Sequence, residues 1–281
     1  FTADIEFDVV DNAAGLIAEM GGADVAGHLT EANSITVDDG QGGQNVNASD
    51  GAMLASFTAD VDFDVSDTAA NIAAQVASGV APNYGADSLE DADSVFVESG
   101  DPVTAAQAES VQDLINYSGG DIDISDNAAN LISAGDHVLN VTGVDVVTVN
   151  NGATSASDGA ILAGFTADVA FDVVDDVVAL KSVMGADVAG ELTEANSITV
   201  DDGQGGQVVT ASDGAILAGF TADVAFDVTD DANAVAAEVT GVGNGSGDLD
   251  EVNTLIVSGG DVDTAEAQAI QSISGYDASA S

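Results

Sequence analysis

The chain has 281 residues, one basic side chain against 50 acidic ones, and a formal charge of −49. That excludes nucleic acid as a partner, because phosphate binding needs clustered Lys and Arg, and it argues equally against anionic membrane surfaces. Hydrophobic residues make up 46% and mean hydropathy is +0.22, enough to build a core, so the acidity reads as the solvated surface of a folded protein.

Such a surface repels itself and must be screened by salt or neutralised by cations, which suggests salty or calcium-containing surroundings. With no cysteine there are no disulfides, thiolate metal sites or cysteine nucleophiles. No apolar run reaches the roughly 18 residues that span a membrane. No signal peptide is visible, and the chain does not begin with Met. Lys181 is the only basic residue, which leaves trypsin-like proteases almost nothing to cut and suits an exposed extracellular life.

The predicted elements repeat. A first strand type carries the motif Asp-x-x-Asp, at Asp8–Asp11, Asp64–Asp67, Asp123–Asp126, Asp172–Asp175 and Asp227–Asp230. The first aspartates are 56, 59, 49 and 55 residues apart. A second strand type lies between them, at Ser34–Val37, Ser94–Val97, Val146–Val149, Ser197–Val200 and Thr254–Val257. In "VDFDVSD", Val61, Phe63 and Val65 point one way and Asp62, Asp64 and Ser66 the other, as in a half-buried strand.

Helix signals follow each strand: "TAANIAAQVASG" after Asp67, "TAAQAESVQDLI" from Thr104 to Ile115, and "ASDGAILAGF" from Ala211 to Phe220. Asp67 is expected to cap the helix after it, Phe57 to close the helix before it, and Asp263 to Glu266 to form a capping box.

The predicted fold is therefore α/β: a repetitive β-α solenoid of parallel strands, with five units of about 55 residues, each of two strand–helix halves. The approximate repeats are 1–56, 57–115, 116–164, 165–219 and 220–275, forming one array over 1–281. Residues 276–281 start a further repeat, with Tyr276 near the position of Phe57. The open repeat phase at both ends speaks against a closed barrel, and suggests a segment of a longer protein or a module that joins head to tail. Whether one coil holds one strand or two stays open. A longer identity lies on top: Asp24–Asp67 matches Asp187–Asp230 at 37 of 44 positions. Duplication of this kind serves an array better than a single asymmetric active site.

The outward central strand positions run Asp8, Thr36, Asp64, Phe96, Asp123, Thr148, Asp172, Thr199, Asp227 and Ile256. Stacked like charges are destabilising, and the Thr rungs are expected to space them apart. Two readings stay open for Asp8, Asp64, Asp123, Asp172 and Asp227, and for the loop pairs Asp38, Asp39, Asp201 and Asp202 in "VDDGQGGQ". They are solvated faces and helix caps, or they hold Ca²⁺ through carboxylate and carbonyl oxygens. The spacing matches neither an EF-hand nor calcium-binding nonapeptides.

Catalytic patterns are thin. His28 and His137 are the only histidines, and Glu191 replaces His28 in the duplicate. Ser157, His137 and Asp158 make a triad by residue type alone. Paired carboxylates for glycoside hydrolysis lack aromatic sugar platforms, since the chain has no Trp. "DDGQGGQ" lacks the GK[ST] of a phosphate loop. An enzyme is therefore not expected. Sequons stand at Asn47, Asn116, Asn140 and Asn244.

"VSDTAANIAA" (Val65–Ala74) and "ISDNAANLIS" (Ile124–Ser133), with their "ITV" strands and "TAAQA" helices, resemble repeats of very large secreted bacterial proteins. These include RTX-type adhesins and S-layer-like surface proteins, often exported by type I secretion. The resemblance implies an extracellular structural or adhesive role, in a filament, surface layer or giant adhesin that assembles with itself. The alternative is a module that binds calcium, glycan or ice, and the interleaved aspartates speak against ice.

Overall fold

The computed structural model describes residues 7–20, 32–41, 43–55, 60–78, 89–184, 192, 194–203, 206–218, 223–239, 249, 252–273 and 276. The chain divides into two compact units, residues 1–126 with 134–147, and residues 127–133 with 148–281.

In chain order the elements begin with β1 (Asp8–Asp11), α1 (Ala13–Met20), β2 (Ser34–Val37), β3 (Asn45–Val46), α2 (Ala48–Leu54), β4 (Asp64–Thr68) and α3 (Ala69–Ser78). Next come β5 (Ser94–Glu98), α4 (Ala105–Gln112), β6 (Tyr117–Gly120), β7 (Ile122–Asp126), α5 (Ala128–Ala134), α6 (Asp136–Leu139) and β8 (Val144–Val149). Then follow α7 (Ala156–Ala163), β9 (Val169–Ala170), β10 (Asp172–Asp175), α8 (Val177–Met184), β11 (Ser197–Val200), β12 (Val208–Val209) and α9 (Ala211–Leu217). The last are β13 (Val224–Ala225), β14 (Asp227–Asp230), α10 (Ala232–Val239), β15 (Thr254–Val257) and α11 (Thr264–Gln271).

The strands expected from the repeat form at their expected places, in short parallel sheets. In the first unit β1 pairs with β2, and β3, β4, β5 and β6 pair in that order. In the second, β10, β11 and β13 form one sheet and β12, β14 and β15 another. No barrel closes among the described residues. Successive helices lie side by side, α1 on α2, α2 on α3 and α3 on α4 in the first unit. The second unit repeats this with α7 on α8, α8 on α9, α9 on α10 and α10 on α11. Helices this short are marginal alone and hold by packing on a sheet.

"VDFDVSD" does not run as one strand. Up to Asp62 it hydrogen-bonds to β2, with Asp62 N–H donating to Ile35 O at 2.8 Å. From Asp64 it belongs to β4, between β3 and β5. Phe63 sits at the change of sheet, fully buried at 0% exposure. The second unit repeats the corner: β13 pairs with β11, β14 with β12 and β15, and Phe226 is buried between them. Phe171, between β9 and β10, is buried likewise. Such a switch lets the ring fill the space between sheets, where burying a Phe contributes about 1.5–3 kcal/mol.

The helices that cover these corners begin with buried alanines, Ala48, Ala105, Ala156 and Ala211. One turn on, Gly51, Gly159 and Gly214 allow close approach. A Cβ on Gly51 would stand 2.8 Å from Val65 Cγ2 and 3.3 Å from Phe63 Cε2.

One expectation needs correction. Tyr276 pairs in parallel with Leu255, as Val224 pairs with Ile198, so it takes the place of Val224 (and Val61) and not of Phe57. The connection after α11 is shorter than that after α9, which moves the register forward. The role expected of Phe57 lies outside the described residues.

Candidate functional site

The feature that recurs through both units is the pair of aspartates in each Asp-x-x-Asp strand, and the two have different partners. The second aspartate ties strand to helix across a long stretch of sequence. Asp67 Oδ2 accepts the backbone N–H of Ala48 at 3.0 Å, 19 residues earlier. Asp175 takes Ala156 N–H at 2.9 Å and Asp230 takes Ala211 N–H at 3.0 Å, over the same separation. Asp126, only 6% exposed, takes Ala105 N–H at 3.1 Å from 21 residues back.

Each of these donors is the first residue of a helix, one of the amides a helix start leaves unpaired. The helices' own caps serve other amides: Asn47, Thr104, Ser155 and Thr210 accept from the third helical residue. The other carboxylate oxygen accepts from the next residue, as Asp67 Oδ1 does from Thr68 N–H at 2.8 Å.

This overturns the role expected of Asp67. It holds the preceding helix, while caps of the following helices lie one residue further on: Asn12, Thr68, Asn127, Asp176 and Asp231 accept from first-turn amides. Geometry explains the shift, since a carboxylate at the strand end points back toward the neighbouring helix while the next side chain already faces its own. The capping box at Asp263–Glu266 forms as expected, and a further one forms at Thr104–Gln107.

The first aspartate faces the neighbouring strand. Ser34 Oγ donates to Asp8 at 2.9 Å, Ser94 Oγ to Asp64 at 2.6 Å, and Ser197 Oγ to Asp172 at 2.6 Å. The register places these serines directly opposite the aspartates, and Thr254 opposite Asp227. The expected alternation of Asp and Thr rungs is therefore corrected: Thr36 is level with Val10, and Phe96 with Ser66. Asp8 and Asp64 also lie in different sheets. Within each pair the strands are offset by two residues from the expected row, and the corner at Phe63 separates Asp62, which bridges to Thr36, from Asp64, which lies in the next sheet. Asp123 lies on β7, half-buried, with its carbonyl accepting Val103 N–H at 2.8 Å.

The loop aspartates accept backbone amides of their own turns. Asp39 Oδ1 accepts Gln41 N–H at 2.7 Å and Gly43 N–H at 3.0 Å, and these bonds hold its pKa below the usual carboxylate value. Asp38 accepts Gly40 N–H, Asp201 accepts Gly203 N–H and Asp202 accepts Gly206 N–H. Gly40 and Gly203 turn at φ +78° and +75°, a conformation that favours glycine.

Asp93 is shifted the other way, its pKa raised by desolvation first and then by Asp62, Asp64 and Asp60. Among the described residues no group of three or more His, Cys, Asp or Glu side chains is placed to hold a metal ion. Asp8, Asp64, Asp123, Asp172, Asp227, Asp38, Asp39, Asp201 and Asp202 do not converge on a shared centre there.

The other candidates scatter. His137 pairs with Glu109 at 3.6 Å on the surface of the first unit. Ser157 and Asp158 start α7 in the second unit, where Asp158 N–H donates to Ser155 Oγ. His28 and the sequon Asn244 lie outside the described residues. Asn116 Nδ2, the atom a glycan would modify, donates to Leu89 O and Ala92 O at 2.7 Å, which leaves that sequon engaged in the fold. Asn47 caps α2, and Asn140 is exposed. Lys181 Nζ lies 2.6 Å from Asp213 Oδ1, joining α8 to the start of α9.

Sequence reasoning missed the strand-to-helix tie and the serine donors. A signal for the tie was present: "NA", "SA" and "TA" at helix starts precede Asp67, Asp175 and Asp230 by one fixed interval. Among the described residues no helix is long and apolar enough to cross a membrane. Compared with protein-family models, with curated proteins and with solved structures, the chain matches none.

Proposed function

We propose that the chain is a β-α solenoid segment of an extracellular filament, surface layer or giant adhesin, which works by geometry and not by catalysis. The supporting observation is that one contact, an Asp-x-x-Asp carboxylate on the first amide of a helix 19 or 21 residues earlier, recurs at four places. A recurring contact extends a structure by repetition, where an active site needs one asymmetric constellation. The charge of −49 fits a surface kept soluble in salty surroundings.

The chain's partner in this reading is itself, joined end to end or side by side, with Ca²⁺ as a further partner of the acidic surface. Light scattering across a salt series, with and without chelator, tests it. Growing assemblies support the reading. Monodisperse monomers unchanged by salt, concentration or chelator overturn it.

A further inference from the structure

Four internal junctions share one construction. A short strand residue pairs with the next Asp-x-x-Asp strand: Val46 with Val65, Val103 with Ile124, Thr154 with Val173 and Val209 with Val228. Two residues after it, the first helical amide donates to that strand's second aspartate. In three of the four, the Phe before the strand is buried in the same place.

The start of α11 repeats the first half of this pattern. Val262, Asp263 and Thr264 stand as Val46, Asn47 and Ala48 do. Here, among the described residues, Val262 pairs with no strand and nothing accepts from Thr264 N–H. A cavity of about 310 Å³ opens beside them, lined by Val257, Val262, Ala267, Ile270 and Tyr276.

β1 carries the complementary half. It pairs with β2 alone among the described residues, where β4 and β14 each have two neighbours. Phe7, at the position of Phe63, is 37% exposed. Asp11 Oδ1 accepts Asn12 N–H at 2.8 Å, as Asp67 Oδ1 accepts Thr68 N–H, but no described donor reaches Oδ2.

We propose that the slot beside α11 takes the strand Phe7–Asp11 of a second copy, adding it to Val262 as β4 is added to β3. Val9 lies level with Val262, Phe7 enters the cavity, and Asp11 Oδ2 accepts Thr264 N–H. Strand addition of this kind takes its affinity from backbone bonds and its selectivity from alternate side chains. The contact is heterologous, so it propagates. By the pairing of Asn45 with Asp64, Asp261 of the slot comes level with the incoming Asp8, and the two carboxylates repel. The junction therefore forms in high salt and opens in low.

This rests on the reading that the chain assembles with itself, and sedimentation separates the two. The full chain, Val9→Asp and Val262→Asp are compared at about 1 M salt, where the Debye length is about 3 Å. The parent chain is expected to give an open series of oligomers. Each variant alone stays monomeric, its association weakened roughly a hundredfold or more by a desolvated, unpaired carboxylate.

An equimolar mixture of the two variants forms dimers and stops there, since one keeps a working slot and the other a working strand. That dimer also shows that both variants fold. Asp261→Asn shifts assembly to lower salt. Variants that assemble like the parent overturn the junction and leave self-assembly standing. A mixture that stays monomeric also overturns the junction. A parent chain that is monomeric at every salt concentration overturns both.

Discussion

Residues 24–67 and 187–230 carry nearly the same sequence in two different units, and their described parts show what the fold requires and what it tolerates. The substitutions between them fall at Asn45/Val208, Asn47/Thr210, Met53/Ile216, Asp62/Ala225 and Ser66/Thr229, none of them buried. The cap changes its chemistry and keeps its function: Asn47 Oδ1 accepts Asp50 N–H, and Thr210 Oγ1 accepts Asp213 N–H. What stays identical is the corner Phe, the valines beside it, the helix Gly that approaches them, and the aspartate that takes the first helical amide. One asymmetry falls just outside: Lys181 stands where the first copy has Ala18, and it pairs with Asp213.

Substitutions at matched positions can break this comparison. The largest effect is expected at the corner. Phe63→Ala and Phe226→Ala should each cost about 3–5 kcal/mol in denaturant unfolding, because both rings are fully buried. A loss at one site without the other would show that the corners are not equivalent.

Next come the aspartates. Asp67→Ala, Asp126→Ala and Asp230→Ala should each cost about 2 kcal/mol, for a charge-assisted bond to a helix-start amide. The buried Asp126 should cost the most. Gly51→Ala and Gly214→Ala should cost about 1 kcal/mol. The new methyl meets Val65 Cγ2 at 2.8 Å and Val228 Cγ2 at 2.7 Å, offset in part by the better helix propensity of Ala. Lys181→Ala should cost about 0.5 kcal/mol and lose that effect in high salt, since the pair is partly exposed.

The smallest effects are electrostatic. Asp93 N–H donates to Phe63 O, and the equivalent donors to Phe7, Phe171 and Phe226 are Asn33, Asn196 and Asn253. Because the Asp93 pKa is raised, the folded state holds its proton more tightly than the unfolded chain, and stability falls as pH rises through that raised value. Asp93→Asn should therefore raise the melting temperature at neutral pH and low salt. The gain is a few tenths of a kcal/mol, because solvent screens the exposed carboxylate.

Asp39 runs the other way. Its lowered pKa gives stability that is present above the ordinary carboxylate range and lost as pH falls through the lowered value, and Asp39→Asn should flatten that acid limb.

Much of this architecture is readable in the residues. Alternation places Ile35, Val37, Val65 and Val97 inward, and all are buried. The box at Asp263–Glu266 is local, so four residues suffice to recognise it. The contacts of Asp67 were not readable in the same way. Its amide partner lies 19 residues back, and "DTAA" looks like an ordinary helix start. The outward row failed for a related reason: counting along a strand fixes which face a residue takes but not its level against the next strand, and Asp8 meets Ser34 and Asp64 meets Ser94, two residues before Thr36 and Phe96. The turn bonds of "DDGQGGQ" were likewise not readable: Asp38 and Asp39 each accept amides of their own turn through Oδ1, which only the backbone path reveals.

The central claim is that this sequence builds length by repeating one strand-to-helix junction. Electron microscopy of the purified chain, imaged in molar and in dilute salt, tests it most directly. Filaments or sheets with a regular repeat are expected in molar salt, dispersing on dilution. Isolated particles of single-chain mass under both conditions would contradict it.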